Sequence, residues 1–153
     1  MSGGADSLMA LALLREQGHA VLALHAHFLP PSEKARHMLP ALEQSCAGLG
    51  ADLSVVDLSH EFQARIIDPF IRQYMEGLTP NPCALCNPFM KFGLLLDKAL
   101  ALGCNALATG HYVRKAEHPV YGPSLLRGAD PKKDQSYFLS LVPKDRLPLI
   151  KLP

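Results

Sequence analysis

The first seven residues constrain this chain more than any other stretch. Met1-Ser2-Gly3-Gly4-Ala5-Asp6-Ser7 runs directly into Leu8-Met9-Ala10-Leu11-Ala12-Leu13-Leu14, an apolar run of strong helix formers. Two adjacent glycines permit a tight turn and let the backbone approach a ligand. Ser2, Asp6 and Ser7 are residue types that open helices, and the first N–H groups of a helix have no partner within it. A loop of this composition at a helix start predicts an anion site, with free N–H groups and the positive end of the helix dipole turned to the ligand. No Gly-Lys-Ser/Thr follows, so the loop is not of the Walker type.

The rest of the chain alternates strand and helix patterns. A helix is expected over 6–17, stopped by Gly18. The apolar run 20–29, interrupted by His25 and His27, suits a buried strand that ends at Pro30-Pro31. A helix follows from Ser32-Glu33 to about Leu49, with Pro40 expected to kink or split it. A strand is expected over 53–58, then a long helix capped by Ser59 and running to about Met75, with Pro69 as its interruption. The stretch 77–83 is dense in Pro and Asn and reads as a loop. A helix is then expected from Asn87 or Pro88 to about Leu102, a third strand over 106–108, and an exit loop Thr109-Gly110-His111-Tyr112. Beyond Tyr112 the pattern loosens, with a short strand at 124–127 and a short helix at 134–142. This alternation predicts an α/β domain with a mainly parallel sheet. Ligands of such sheets bind beyond the carboxyl ends of the strands, so Ser7, residues 26–29 and residues 110–112 should meet at one crevice.

Composition narrows the class. At 153 residues, 48% hydrophobic and 19% charged, the chain is long and apolar enough for one globular domain. No apolar run approaches a membrane span and no signal-peptide pattern opens the chain, which predicts a cytoplasmic protein with no membrane partner. Residues 1–113 carry 7 Lys and Arg against 10 Asp and Glu, and residues 114–153 carry 8 against 4. A basic final third can attract phosphate backbone, and a solvated surface accounts for the same count.

Of four cysteines, Cys46 and Cys104 sit in apolar settings and are expected in the core. Cys83-Ala84-Leu85-Cys86 is different. The Cys-x-x-Cys spacing fits half a zinc site, a redox pair, an Fe–S ligand pair or two incidental thiols. No second Cys-x-x-Cys completes a zinc site, and no metal-ligating side chain is expected.

The opening loop, residues 2–7, resembles the pyrophosphate loop of the PP-loop ATPases, which cleave ATP between its α and β phosphates. The resemblance implies a Rossmann-like, adenine nucleotide alpha hydrolase-like domain in which Ser2, Gly3, Gly4, Asp6 and Ser7 hold pyrophosphate, with Mg2+. Relatives place a buried strand before this loop. Here only Met1 precedes it, so the expected sheet lacks its first strand. Three further blocks resemble the tRNA-specific 2-thiouridylases: Thr79-Pro80-Asn81-Pro82-Cys83-Ala84-Leu85-Cys86-Asn87 with Lys91-Phe92, Ala108-Thr109-Gly110-His111-Tyr112, and Leu125-Leu126-Arg127-Gly128 leading to Lys133-Asp134-Gln135-Ser136-Tyr137-Phe138-Leu139. Together the four blocks cover essentially the whole chain. They imply a nucleotide-binding domain over 1–112 and a C-terminal extension over 113–153.

The implied activity is adenylation of the wobble uridine of tRNA, then transfer of persulfide sulfur to its 2-position. The implied partners are tRNA and a protein that carries persulfide sulfur. Cys86 matches the sulfur-bearing cysteine and Cys83 is its nearest resolving partner. A helix beginning at Asn87 and the charge of Lys91 are expected to lower the Cys86 thiol pKa. Gly110 matches a nucleotide-contacting glycine, and Ala26 stands where relatives place a Met under the adenine. Lys91, Arg127 and Lys133 are expected at RNA phosphates and Gln135 at the target base. Relatives carry a second reactive cysteine and further tRNA-holding domains beyond the equivalent of Pro153. Two other readings stay open: an adenylating enzyme with a non-tRNA acceptor, and an inactive nucleotide- or metal-binding fragment.

Overall fold

The computed structural model describes residues 1–30 and 32–153. The expected stop at Pro31 falls outside them. Helix α1 spans Ala5–Glu16, with Gly4 as its N-cap in extended backbone (φ −92°, ψ 160°). It stops as expected: Gly18 takes φ 80°, its N–H donates to the Arg15 carbonyl, and the His19 N–H donates to the Leu14 carbonyl. Strand β1 (Leu22–His27) pairs in parallel with β2 (Asp52–Asp57), in a register that sets Leu22 opposite Asp52 and His27 opposite Asp57. Helix α2 (Glu33–Gly48) makes the crossover. It runs unbroken through Pro40, where a split was expected. Leu42 and Cys46 of α2 are buried with Leu11, Ala23 and Ala51, so α1 and α2 share one core.

The long helix after β2 keeps its predicted extent but not its capping. Leu58 is the N-cap, and the Ser59 N–H donates to Asp57 Oδ1 at 2.9 Å. The helix divides into α3 (Ser59–Phe62), a π turn (Gln63–Ile67) and α4 (Asp68–Met75). Proline cannot donate a helical N–H, and the wider turn ahead of Pro69 absorbs that loss. Ile66 is buried with Leu58 and Met90, whereas Phe70, Ile71 and Tyr74 further along remain exposed.

The next segment differs more from its sequence reading. Helix begins at Pro82, not at Asn87, because Asn81 caps it: Asn81 Oδ1 accepts the Ala84 N–H at 3.1 Å. Helix α5 (Pro82–Cys86) continues as a nine-residue π segment (Asn87–Leu95) and then α6 (Leu96–Ala101). Both cysteines of the Cys-x-x-Cys therefore lie on a helix and not in a loop.

Strand β3 (Leu107–Ala108) pairs in parallel with a C-terminal strand that local pattern did not predict, the two-residue β6 (Ile150–Lys151). Between them β4 (Val113–His118) and β5 (Gly122–Arg127) form an antiparallel hairpin. The β4 sequence is largely polar and exposed, so it has no apolar alternation to read. The helix expected over 134–142 shrinks to a 3-10 turn, Ser136–Leu139, because the Asp134 carboxylate takes the N–H groups of Gly128 and Ser136 at 2.8 and 3.1 Å. A second 3-10 turn, Lys144–Leu149, leads into β6. Phe92 and Leu96 are fully buried against Leu139 and Ile150, which ties the C-terminal segment to the helix after the cysteines.

Candidate functional site

A cleft of about 1140 Å³ runs along β1 and β3, from Val21, Leu22 and Ala106 at their starts to the place where the α1 start, the end of β1 and the exit of β3 meet. Ser2, Asp6 and Ser7 line it from the opening loop, and Ala26 lines it from β1. Gly110 and His111 line it from the β3 exit, and Lys91 and Gln135 reach it from the π segment and the C-terminal block. The expected convergence at the carboxyl ends of the strands is present. Gly3, Gly4, Cys83, Cys86, Arg127 and Lys133 are not among its described lining residues.

The opening loop is held by its own short side chains. Ser7 Oγ donates to the Gly4 carbonyl at 2.9 Å and lies 3.1 Å from Ser2 Oγ, while Ser2 Oγ accepts the Gly4 N–H at 3.3 Å. No side chain caps α1, although Ser2, Asp6 and Ser7 are capping types. The serines fold the loop instead of covering the helix end. Gly3 needs its φ of 82°, and a Cβ there would also meet Met38 Sδ at 2.8 Å. Gly110 packs flat on the loop: a Cβ would come within 2.6 Å of the Asp6 carbonyl oxygen.

Tyr112 joins this loop to the C-terminal block. Its hydroxyl donates to Asp6 Oδ1 at 2.8 Å, which raises the phenol pKa, first through that hydrogen bond and then through the carboxylate charge. Its N–H donates to Gln135 Oε1 at 3.0 Å, and its carbonyl accepts the Gln135 N–H at 3.2 Å. The Lys133 ammonium stands 5.1 Å from the centre of its ring. Gly128 closes the stack, since a Cβ there would lie 2.6 Å from the Tyr112 carbonyl oxygen. Arg127 ends β5 on the exposed side of this stack, and its charge helps hold the Asp134 carboxyl below the ordinary range after the Gly128 and Ser136 hydrogen bonds.

Cys83 is exposed on the first turn of α5, and Cys86 is half-buried against Leu58, Ile66 and Met90. Both are free thiols. Burial pushes the Cys86 thiol pKa up, against the lowering effect of the Lys91 charge; Cys83 adds to the rise. The expectation of a lowered pKa is thus reversed, because burial outweighs the Lys91 charge; the helix start expected at Asn87 lies instead at Pro82, next to Cys83. Asn87 is buried. Its Nδ2 donates to the Cys83 carbonyl at 3.0 Å and the Phe138 carbonyl at 2.9 Å, fixing the cysteine turn to the C-terminal block. Among the described residues its Oδ1 has no hydrogen-bond partner. Cys46 lies in the core with Leu11 and Leu42 as expected, and Cys104 is half-buried against the other core cluster, that of Phe92 and Leu96.

Within the cleft the Lys91 ammonium lies 3.3 Å from His111 Nε2, and His111 Nδ1 lies 2.8 Å from Thr109 Oγ1. Burial first, then the Lys91 charge, lowers the His111 pKa to about 4. The ring is therefore neutral at physiological pH: Nε2 accepts from Lys91, and Nδ1–H donates to Thr109. Met38 lines the cleft without having been singled out from the sequence, and Thr109, read only as part of the exit loop, lines it beside His111. Tyr112, expected at the crevice with residues 110 and 111, is not among its described lining residues and joins the loop through Asp6.

Among the described residues no group of three or more His, Cys, Asp or Glu is placed to hold a metal ion, and no helix is long and apolar enough to cross a membrane.

The sequence matches the family described as "tRNA methyl transferase HUP domain" over residues 1–153. The chain belongs to that family. The HUP domain carries the PP-loop α/β fold, in agreement with the glycine-rich helix start and the parallel strand pairs. Among similar proteins, the "tRNA-specific 2-thiouridylase MnmA" of Nitratidesulfovibrio vulgaris (strain DSM 19637 / Miyazaki F) is 57% identical over 151 residues, 96% of this chain and 43% of the relative. Proteins of the same name from Oleidesulfovibrio alaskensis and Thermus thermophilus are 54% and 43% identical, each matching 100% of this chain and covering 45% and 44% of the relative. The chain thus spans less than half the length of the curated relatives it matches.

Proposed function

We propose that this HUP domain binds ATP and carries out the adenylation and sulfur-transfer steps of a tRNA 2-thiouridylase. The observation that carries the reading is the seating of the uncapped, glycine-rich start of α1 beside Gly110 in one cleft. Ser2, Gly3, Gly4, Asp6 and Ser7 hold the pyrophosphate portion, with backbone N–H groups at the helix start as donors. The adenosine lies over Ala26 and Gly110. Asp6 and the serine hydroxyls form a hard-oxygen set that suits Mg2+, which would neutralise phosphate charge during transfer. Arg127, Lys133 and Gln135 face the RNA acceptor, and Gln135 is already fixed by Tyr112.

In the chemistry, the uridine 2-oxygen attacks the α-phosphorus and pyrophosphate leaves. A persulfide on Cys86, charged by a carrier protein, attacks the activated C2 with its terminal sulfur, and AMP leaves with the oxygen. The Cys83 thiolate then attacks the Cys86 sulfur. The S–S bond to the transferred sulfur breaks, thiouridine is released, and a Cys83–Cys86 disulfide remains for a thiol reductant.

The test is pyrophosphate release from ATP in the presence of unmodified tRNA and a persulfide donor, with 2-thiouridine read by nucleoside mass spectrometry. Both should depend on Asp6, and only thiouridine formation on Cys86. Pyrophosphate release that ignores tRNA but responds to another acceptor would redirect the reading to a different adenylating enzyme. ATP binding unaltered by Asp6→Ala would remove it.

A further inference from the structure

The nine-residue π segment directly after Cys86 has a local cause in the sequence. Pro88 offers no N–H to the helical ladder, and Gly93, five residues on, offers no Cβ; one placed there would lie 2.7 Å from the Pro88 carbonyl oxygen. Any side chain at 93 would push this turn open. The π register changes which residues share a face. In an α-helix a residue five positions on is rotated roughly 140° away, whereas the wider i→i+5 turn brings it back toward the same side. Lys91 is five residues after Cys86, and the π segment carries it into the cleft.

Lys91 is also held there. It reaches His111 Nε2 at 3.3 Å, and Thr109 fixes the opposite ring nitrogen at 2.8 Å. Phe92 packs against the same ring, with centroids 5.8 Å apart. An exposed lysine needs no such apparatus. We propose that Lys91 is the cation that stabilises the anionic sulfur at Cys86, and that His111, oriented by Thr109, is a positioning residue that holds the Lys91 ammonium. The proposal deepens the reading of Cys86 as sulfur carrier and rests on it.

The titratable groups acting on the Cys86 thiol are Lys91 and Cys83. The elements packed around it present apolar side chains, Phe62 and Ile66 from the α3 and π-turn helix and Leu94 and Leu95 from its own helix. The 3-10 turn Ser136–Leu139, which contacts α5, carries Tyr137. Because His111 stays neutral down to about pH 4, it offers Lys91 an acceptor throughout the working range and does not repel it. On ionisation the thiol proton passes to solvent.

The experiment is the pH profile of Cys86 alkylation, followed by mass spectrometry of the Cys86 peptide. Lys91→Met should move the profile to higher pH by about one pKa unit, an approximately tenfold slower reaction near neutrality with the same alkaline plateau. His111→Ala should move it in the same direction by less. The double variant should match Lys91→Met alone, because His111 acts only through the lysine. His111→Gln, which keeps an acceptor, should restore most of the wild-type profile. An unmoved profile in Lys91→Met, or His111→Ala adding in full to Lys91→Met, overturns the proposal. Nitrogen NMR of the unmutated protein supplies a test free of folding defects: His111 must hold its proton on Nδ1, and a proton on Nε2 overturns the proposal. Alkylation needs neither ATP nor tRNA. A failure of the thiolation reading therefore shows as absent thiouridine with the Lys91 effect intact.

Discussion

The opening loop and the cysteine helix solve opposite problems. Residues 2–7 are exposed, short and self-contained: serine hydroxyls bond to each other and to neighbouring backbone, and one glycine supplies the positive φ. Residues 82–95 are defined from outside. Asn87 spans to Phe138, Lys91 to His111, and Phe92 is buried against the C-terminal segment. A loop built for an anion needs little besides its own backbone. On the proposed reading Cys86 carries sulfur from a half-buried position, where burial works against the charged form and the Lys91 charge only partly opposes it.

The sharpest way to break this contrast is at Gly110, which packs on the opening loop next to His111, the partner of Lys91. Gly110→Val places atoms inside the Asp6 carbonyl contact, and calorimetry should find nucleotide binding lost, with destabilisation on the order of 1–3 kcal/mol. Binding at wild-type affinity would mean that the loop does not depend on the β3 exit.

Asn87→Ala tests the outside support of the cysteine helix. It removes the side-chain donor to the Phe138 and Cys83 carbonyls, of which Cys83 keeps the Asn87 backbone N–H, and should cost about 1–3 kcal/mol in urea unfolding. It should speed alkylation of Cys86 by loosening the turn. Asp6→Ala, an exposed loop change, should leave stability within about 0.5 kcal/mol while weakening ATP binding.

A third comparison uses pH. His111 has a folded pKa near 4, below its ordinary value, so its neutral form is favoured by folding. Its contribution to stability is present above about pH 6.5 and is lost as pH falls toward 4, because the unfolded chain takes up the proton first. His111→Gln should remove that part of the acid slope in denaturant titrations. The smallest effect is expected from Tyr112→Phe. One exposed hydrogen bond to Asp6 is lost, and stability should fall no further than in Asp6→Ala, which removes the same bond. ATP affinity should change little, and the change should vanish in an Asp6→Ala background.

The same contrast explains what the sequence made legible. Ser2 to Ser7, the Gly18 stop and the β1–α2–β2 crossover follow from residue type and local spacing. The meeting of the loop with Gly110 follows from strand–helix alternation. The start of the cysteine helix was misplaced because Asn81-Pro82 reads equally as loop or as N-cap and first turn. The π register was invisible, since it depends on Pro88 and Gly93 acting together. Strand β6 is two residues long, and β4 is polar, so neither has a pattern to detect. The raised Cys86 pKa follows from contacts with Leu58 and Ile66, which lie twenty or more residues away and leave no local trace.

The most direct measurement follows labelled sulfur. The protein is charged with a ³⁵S persulfide, the label is mapped by peptide mass spectrometry, and unmodified tRNA is added with and without ATP. The account predicts label on the Cys86 peptide and its transfer to tRNA only when ATP is present. Label stable at Cys83, Cys46 or Cys104, or transfer from Cys86 that proceeds without ATP, would contradict it.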